Sequence, residues 1–183
     1  MRPPANSFVG REEEAAGLRT LLAGARLDFS AMTPTRLDAA AKTGTPAIVT
    51  PGCLDMVNFG APESVPAKFK DRLFYHHNPQ VTLMRTTPEE NAELGRILAE
   101  KINAYTAPVT VLLPLGGISV VSAPGGPFHD AAADAALFGA LKSGLRAGIP
   151  VREYAGNVNE PGFAAACAGA LLENISRQKP AAG

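Results

Sequence analysis

The sequence contains no tryptophan, only two cysteines, and no apolar run of the roughly 18–20 residues that a membrane-spanning helix requires. Its first residues, MRPPANSF, lack the apolar segment of a secretory signal peptide. Cys53 and Cys167 are far apart and do not have the spacing of metal ligands. Together these absences predict a cytoplasmic protein that does not act at a membrane and has no metal site.

A net charge is also lacking, because 17 Lys and Arg residues balance 17 Asp and Glu residues. A nucleic acid or an anionic membrane would require a basic face on the protein, so neither is expected as a partner. The P-loop motif GxxxxGK followed by Ser or Thr is absent as well. This argues against nucleotide hydrolysis of the P-loop type.

The composition is that of a globular protein, with 46% hydrophobic and 19% charged residues over 183 positions. This length suffices for one domain with a core. Helical and extended patterns alternate, which predicts parallel strands joined by right-handed crossovers. We therefore expect an α/β fold, a Rossmann-like three-layer sandwich with a mostly parallel sheet. The domain should span residues 27–178, with a tail and helix over 1–26 and a tail over 179–183.

The clearest local signal is Thr87-Pro88-Glu89-Glu90, in which Thr87 caps a helix, Pro88 takes its first position and Glu90 completes a capping box. Thr33 and Pro34 similarly predict a helix start. The predicted helices are 12–23, 34–42, 88–104, 131–145 and 163–175, and the predicted strands are 27–31, 47–50, 73–77, 109–113 and 149–154. Residues 51–72 are predicted to form a long loop, and loops of that length are usually functional.

Polar residues follow several of the predicted strands. Because the carboxyl ends of parallel strands lie at one edge of a sheet, the loops after these strands should be neighbours in space. We expect the segment from His76 to Asn78, together with Arg85, to fold over this edge. The candidate ligand-binding residues are Asp55, Asn58, His76, His77, Asn78, Arg85, Gly116, Gly117, Ser119, Asn157 and Asn159.

Each candidate also has a structural interpretation. Asp55 could cap a turn instead of serving a site. His76 and His77 point to opposite faces if extended, so one of them is expected to face the site. Arg85 could bind a carboxylate or phosphate group or could form a structural ion pair.

The Gly116-Gly117 pair, His129 and Cys53 also allow predictions. Gly116 and Gly117 could bind an anion through their amides, although two glycines after a strand are a common feature. His129 is expected at the surface. Cys53 is expected to pack as a small hydrophobic residue, because nothing near it would lower the pKa of its thiol.

Four segments resemble one known family in their order along the chain: GCLDMVNFG, FYHHNPQVTLMRTTPEEN, VLLPLGGIS and PGGPFHDAAADAALFGAL. They are similar to the C-terminal half of the UPF0261 family, the Tm-1-like ATP-binding proteins. The resemblance covers roughly residues 30–175. Residues 1–26 do not resemble the family, and Cys53 stands where a small residue such as Ala is expected.

This resemblance implies two α/β subdomains in the full-length family members, ATP as a ligand, and dimers. The N-terminal half of those members is absent from this sequence, so we expect weak or no ATP binding by this chain. We expect a homodimer or a higher homo-oligomer, because the missing half would leave apolar surface uncovered. The N-terminal half could also exist as a separate partner protein.

The leading functional hypothesis is an α/β domain that binds a small polar or anionic ligand. One alternative is an enzyme acting on a small anionic metabolite, in which Asp55 or His76 is the catalytic acid–base and Arg85 holds the anion. A third interpretation is a truncated family member without activity.

Overall fold

A computed structural model describes residues 36–178 of the chain. Its helices are α1 (Asp38–Thr43), α2 (Pro88–Asn103), α3 (Ala131–Gly144) and α4 (Pro161–Arg177). Its strands are β1 (Ala47–Val49), β2 (Met56–Phe59), β3 (Phe74–Asn78), β4 (Val81–Arg85), β5 (Val109–Pro114) and β6 (Val151–Tyr154). Two short 3-10 helices, Pro62–Ser64 and Ala67–Phe69, follow β2.

A parallel sheet in the order β1-β5-β6 forms the centre of the fold. All six residues of β5 are buried, as expected for a central strand made of five consecutive apolar or β-branched residues and a final proline. Val111 and Leu113 face α2 and α3, whereas Leu112 faces Phe163 of α4. Helices therefore cover both faces of the sheet, and the predicted α/β, Rossmann-like three-layer fold is confirmed.

A second, antiparallel sheet in the order β2-β4-β3 was not predicted. The sequence predicts a loop over residues 51–72, but Met56–Phe59 form β2, and residues 81–85 form β4. The predicted strand 73–77 exists as β3 but belongs to this second sheet. In β2 the buried Val57 precedes the exposed Asn58, and four residues of such alternation between turns are too few to identify a strand.

The capping box at the start of α2 is confirmed. Thr87 Oγ1 accepts a hydrogen bond from the backbone N–H of Glu90 at 3.2 Å, and Glu90 Oε2 accepts one from the N–H of Thr87 at 2.8 Å. α1 ends before Gly44, which adopts the left-handed conformation with φ 63°. The predicted helix 12–23, the strand 27–31, the Thr33-Pro34 helix start and the tail 179–183 lie outside the described residues.

None of the helices in the described part of the chain has the length and apolar character needed to span a membrane.

α2 and α3 approach each other closely because glycines occupy their contact. A Cβ atom built at Gly95 of α2 would lie 2.5 Å from the backbone oxygen of Leu137 and 2.9 Å from Cβ of Ala140. A Cβ atom built at Gly144 would lie 2.7 Å from Cβ of Ala99. The helix pair therefore depends on the absence of side chains at these positions.

Gly95→Ala should destabilise the protein by about 1–3 kcal/mol, because the added methyl group would push the two helices apart. Gly139→Ala in α3 is the matched control, since nothing lies within 4 Å of its added Cβ. The control should be neutral or stabilising by up to about 1 kcal/mol, from helix propensity. Urea denaturation measures both variants, and equal stability of the two would show that the helices can separate without cost.

Candidate functional site

The loops after β1 and β5 meet at the carboxyl edge of the parallel sheet, as expected. The N–H of Cys53 donates to the backbone oxygen of Ile118 at 2.8 Å. The hydroxyl of Ser119 donates to Oδ2 of Asp55 at 2.6 Å. Two of the predicted site residues, 64 positions apart in sequence, are therefore in direct contact.

The carboxylate of Asp55 is fully buried, and its Oδ1 has no hydrogen-bond partner among the described residues. Burial raises the pKa of Asp55 above 3.8, while the hydrogen bond from Ser119 acts in the opposite direction. Thr86 donates a backbone N–H to the carbonyl oxygen of Asp55 at 3.0 Å. Both the side chain and the backbone of Asp55 thus join separate segments of the fold.

Ser122 closes the turn that carries Ser119. Its Oγ accepts hydrogen bonds from the backbone N–H groups of Ile118 and Ser119, at 3.1 and 3.0 Å. Its own N–H donates to Ser119 Oγ at 3.1 Å. These bonds fix the orientation of the Ser119 hydroxyl toward Asp55.

Arg85 is 4% exposed and contacts this network through the backbone oxygen of Asp55. Its guanidinium group forms an ion pair with Asp134 of α3, with Nη2 2.7 Å from Oδ1. Because a guanidinium carries five N–H donors, five acceptors are needed to satisfy it. The structure supplies the oxygens of Phe128 (2.9 Å), Asp55 (3.3 Å), Thr86 (3.2 Å), Asp130 (3.4 Å) and Asp134 (2.7 Å).

This environment favours the structural interpretation of Arg85. All its donors have partners within the protein, so none is left over to hold an anionic ligand. Asp134 is the side chain that neutralises it. Burial raises the pKa of Asp134, and the hydrogen bond from Arg85 partly opposes that shift.

Gly116 and Gly117 also serve packing in this structure. Their N–H groups donate to the oxygens of Gly156 and Pro114, at 2.9 and 3.3 Å. A Cβ on Gly116 would lie 2.6 Å from the carbonyl carbon of Gly156, and Gly117 has a φ of 127° that other residues rarely adopt. The two amides therefore donate to acceptors within the protein, although both glycines line a cavity at the carboxyl end of β5 that is described below.

Asn157 joins this contact from the loop after β6. Its Nδ2 donates to the backbone oxygen of Ser119 at 2.8 Å, and its Oδ1 accepts from the N–H of Asn159 at 2.9 Å. Asn159 itself is exposed. The loops after β1, β5 and β6 are thus held together by their polar side chains.

The remaining candidates are exposed and separate from this cluster. Asn58 lies on β2, and His76, His77 and Asn78 lie on the edge strand β3. His76 pairs with Thr82, three residues before Arg85 on β4, which places it about 10 Å along the sheet from the Asp55 end. The structure does not bring Asp55 and His76 together.

Cys53 is exposed, which corrects the expectation that it packs as a small hydrophobic residue. Its φ of 57° places it in the left-handed region, where the turn directs the side chain outward.

A cavity of about 180 Å³ lies at the carboxyl end of β5, between the following loop and α3. Its polar side chains are Ser122, His129 and Asp134. Asp134 was missed in the sequence, although an acidic residue in the first turn of a helix after a Gly-rich loop is a recognisable signal. His129, expected at the surface, is exposed at the cavity and its Nδ1 lies 3.3 Å from the oxygen of Ser122.

Within residues 36–178, no group of three or more His, Cys, Asp or Glu side chains is arranged to hold a metal ion.

The sequence model of the UPF0261 C-terminal domain, described as an uncharacterised protein family, matches residues 22–175. The chain belongs to the UPF0261 family. The match begins within residues 1–26, the segment that was expected not to resemble the family.

Three relatives illustrate the match. A UPF0261 protein of Clostridium tetani is 43% identical over 145 residues, which is 79% of this chain and 36% of that protein. The UPF0261 protein RA0729 of Rhizobium meliloti is 45% identical over 143 residues, covering 77% of this chain and 36% of the relative. The ToMV resistance protein Tm-1(GCR237) of Solanum lycopersicum is 38% identical over 142 residues, which is 75% of this chain and 19% of that protein. This UPF0261 chain thus spans about a third of the length of its bacterial relatives.

Arg85→Ala should destabilise this UPF0261 domain by about 3–5 kcal/mol, because Asp134 would be left as an uncompensated buried charge. Arg96→Ala is the control, since Arg96 pairs with Glu93 on the exposed side of α2 and should cost about 1 kcal/mol or less. Free energies of unfolding in urea test both. A stable Arg85→Ala variant would show that the ion pair does not hold the fold.

Asp55→Asn should change how stability depends on pH. An acid with a raised folded-state pKa binds its proton more tightly when folded, so stability falls as pH rises above 3.8 toward that folded pKa. Asparagine keeps an acceptor for Ser119 but carries no charge. The variant should therefore lose less stability than the wild type over this rise in pH.

Asp38→Asn supplies the contrasting case for the same unfolding experiment. The hydrogen bond from Lys101 lowers the pKa of Asp38, so its contribution is present above 3.8 and is lost on acidification. The two variants should alter the pH profile in opposite directions. If the stability of Asp55→Asn depended on pH as that of the wild type does, burial would not raise the pKa of Asp55.

Proposed function

We propose that this UPF0261 chain is a ligand-binding domain whose site is the cavity between the β5–α3 loop and α3. One observation carries the proposal: the cavity lies at the carboxyl end of a parallel strand and combines apolar walls with Asp134 and His129. Ligands of open α/β sheets bind at this edge. A volume of about 180 Å³ holds roughly six water molecules, so the ligand, or its bound part, is small.

The side chains of the cavity indicate which chemical groups it accepts. Asp134 uses Oδ1 for Arg85, while its Oδ2 has no hydrogen-bond partner in the described part of the chain. His129 uses Nδ1 toward Ser122, which leaves Nε2 for a ligand. A carboxylate oxygen accepts hydrogen bonds, so a small molecule with hydroxyl or amino groups fits better than a simple anion.

The enzyme alternative receives less support than binding. Its two acid–base candidates, Asp55 and His76, lie apart, and its anion holder Arg85 is saturated by protein acceptors. A catalytic constellation requires its groups within reach of one substrate atom. Asp134 and His129 both line one cavity, which supports a binding role for them.

Ala135→Phe should abolish ligand binding, because Ala135 lines the cavity and a benzyl side chain would fill it. Ala132→Phe is the matched control: it is exposed on the same helix and does not line the cavity. A ligand-observed NMR screen with small hydroxyl- and amino-bearing metabolites measures both. Equal binding to the two variants, or none to the wild type, would refute the cavity as the site.

ATP should bind weakly or not at all to this chain. The cavity of about 180 Å³ lies below the roughly 300–1,000 Å³ of sites that enclose drug-sized ligands, and the second cavity described below, of about 310 Å³, is at the lower limit of that range. The sequence also lacks a P-loop. Isothermal titration calorimetry should give no saturable signal below millimolar concentration. A submillimolar dissociation constant would overturn this expectation.

A further inference from the structure

A second and larger cavity, of about 310 Å³, opens at the opposite, amino end of the parallel sheet. It lies between the segments that lead into β5 and β6 and the last turn of α4. β5 spans six residues, so roughly 20 Å separates this cavity from the one at the carboxyl edge.

The charged side chains that line this cavity are Arg146 and Arg177, and no acidic side chain lines it among the described residues. A cleft lined by charge of one sign concentrates ions of the opposite sign. Asn174 also lines the cavity, but its amide is occupied by Thr110 and the oxygen of Ala47. Arginine therefore determines what the cavity can attract.

Arg146 is held in a fixed position by the backbone. Its side-chain Nη2 donates to the backbone oxygen of Tyr105 at 2.9 Å, and its Nε donates to the backbone oxygen of Asn103 at 3.4 Å. Its backbone N–H donates to Oδ1 of Asn103 at 2.8 Å. Nη1 makes no hydrogen bond within residues 36–178. A pre-positioned guanidinium loses little conformational entropy when it binds an oxyanion.

Arg177 is weakly paired. Its Nη2 lies 3.5 Å from Oε2 of Glu173, at an exposed position. Glu173 is the closer partner of Arg152, which is the main cause of its lowered pKa. The guanidinium of Arg177 therefore retains donors for a ligand in the cavity.

We propose that this cavity is an oxyanion site, in which Arg146 and Arg177 bind the phosphate or carboxylate groups of a small molecule. Arginine is suited to these groups because its planar donors match two oxygens at once. The site is independent of the cavity near Asp134, which accepts hydrogen-bond donors. This domain would then bind two ligands with opposite hydrogen-bonding chemistry.

The test titrates the full chain with inorganic phosphate and with citrate at constant ionic strength, with chloride as the balancing ion. Amide chemical shifts locate the binding. Saturable shifts should appear around Gly148 and Thr106 at the cavity. Shifts that do not saturate, or that cluster elsewhere, would overturn the proposal.

Arg146→Gln and Arg177→Gln should each weaken phosphate and citrate binding about tenfold or more, the effect of losing a charge-assisted hydrogen bond. Arg96→Gln, a surface variant on α2, should bind as the wild type does. If Arg146→Gln unfolds because its contacts with the backbone are lost, the Arg177→Gln variant tests the proposal alone. Its fold should be retained, because the ion pair of Arg177 with Glu173 is exposed. Unchanged affinity in Arg177→Gln would overturn the site.

Ala135→Phe separates the two proposals, because it blocks only the cavity near Asp134. This variant should retain phosphate binding, so failure at one cavity leaves the other proposal intact. Loss of phosphate binding in Ala135→Phe would place the anion at the carboxyl edge and overturn the second site.

Discussion

The ion pair between Arg85 and Asp134 is the interaction on which the rest of the structure depends. Arg85 ends the central strand of the antiparallel sheet, and Asp134 lies in the first turns of a helix that covers the parallel sheet. The same guanidinium binds the backbone of Asp55 and of the loop before α3. One buried cation thus connects two sheets, a helix and two loops. Removing either partner alone would leave the other as a buried, unpaired charge. Such a loss strongly destabilises a fold.

The polar residues at the carboxyl edge of the parallel sheet have a structural role in this arrangement. Their convergence is the pattern of a ligand site, but Asp55, Ser119 and Asn157 bind one another and the loop backbone. They hold the loops at the carboxyl edge of the sheet together and position the loop before α3. The groups that remain for a ligand are Oδ2 of Asp134 and Nε2 of His129. The proposed function therefore rests on the residues that the network leaves accessible, and not on the network itself.

The local signals in the sequence identified local structure well. The capping box at Thr87 and the buried run of β5 depend on neighbouring residues, so a single sequence reveals them. The second sheet could not be predicted, because β2 is four residues long and its residues pair with residues of β4 that are 23 to 29 positions away. The sequence does not decide the role of Arg85 for the same reason. Its partners lie up to 49 positions away, and only the folded chain shows that all five donors are used.

A double-mutant cycle on Arg85 and Asp134 tests the central claim most directly. The free energies of unfolding of wild type, Arg85→Met, Asp134→Leu and the double variant give the coupling between the two side chains. A buried pair that connects the sheets predicts a coupling of about 2 kcal/mol or more, with the double variant more stable than at least one single variant. A coupling near zero, with additive losses, would show that the ion pair does not hold the structure together.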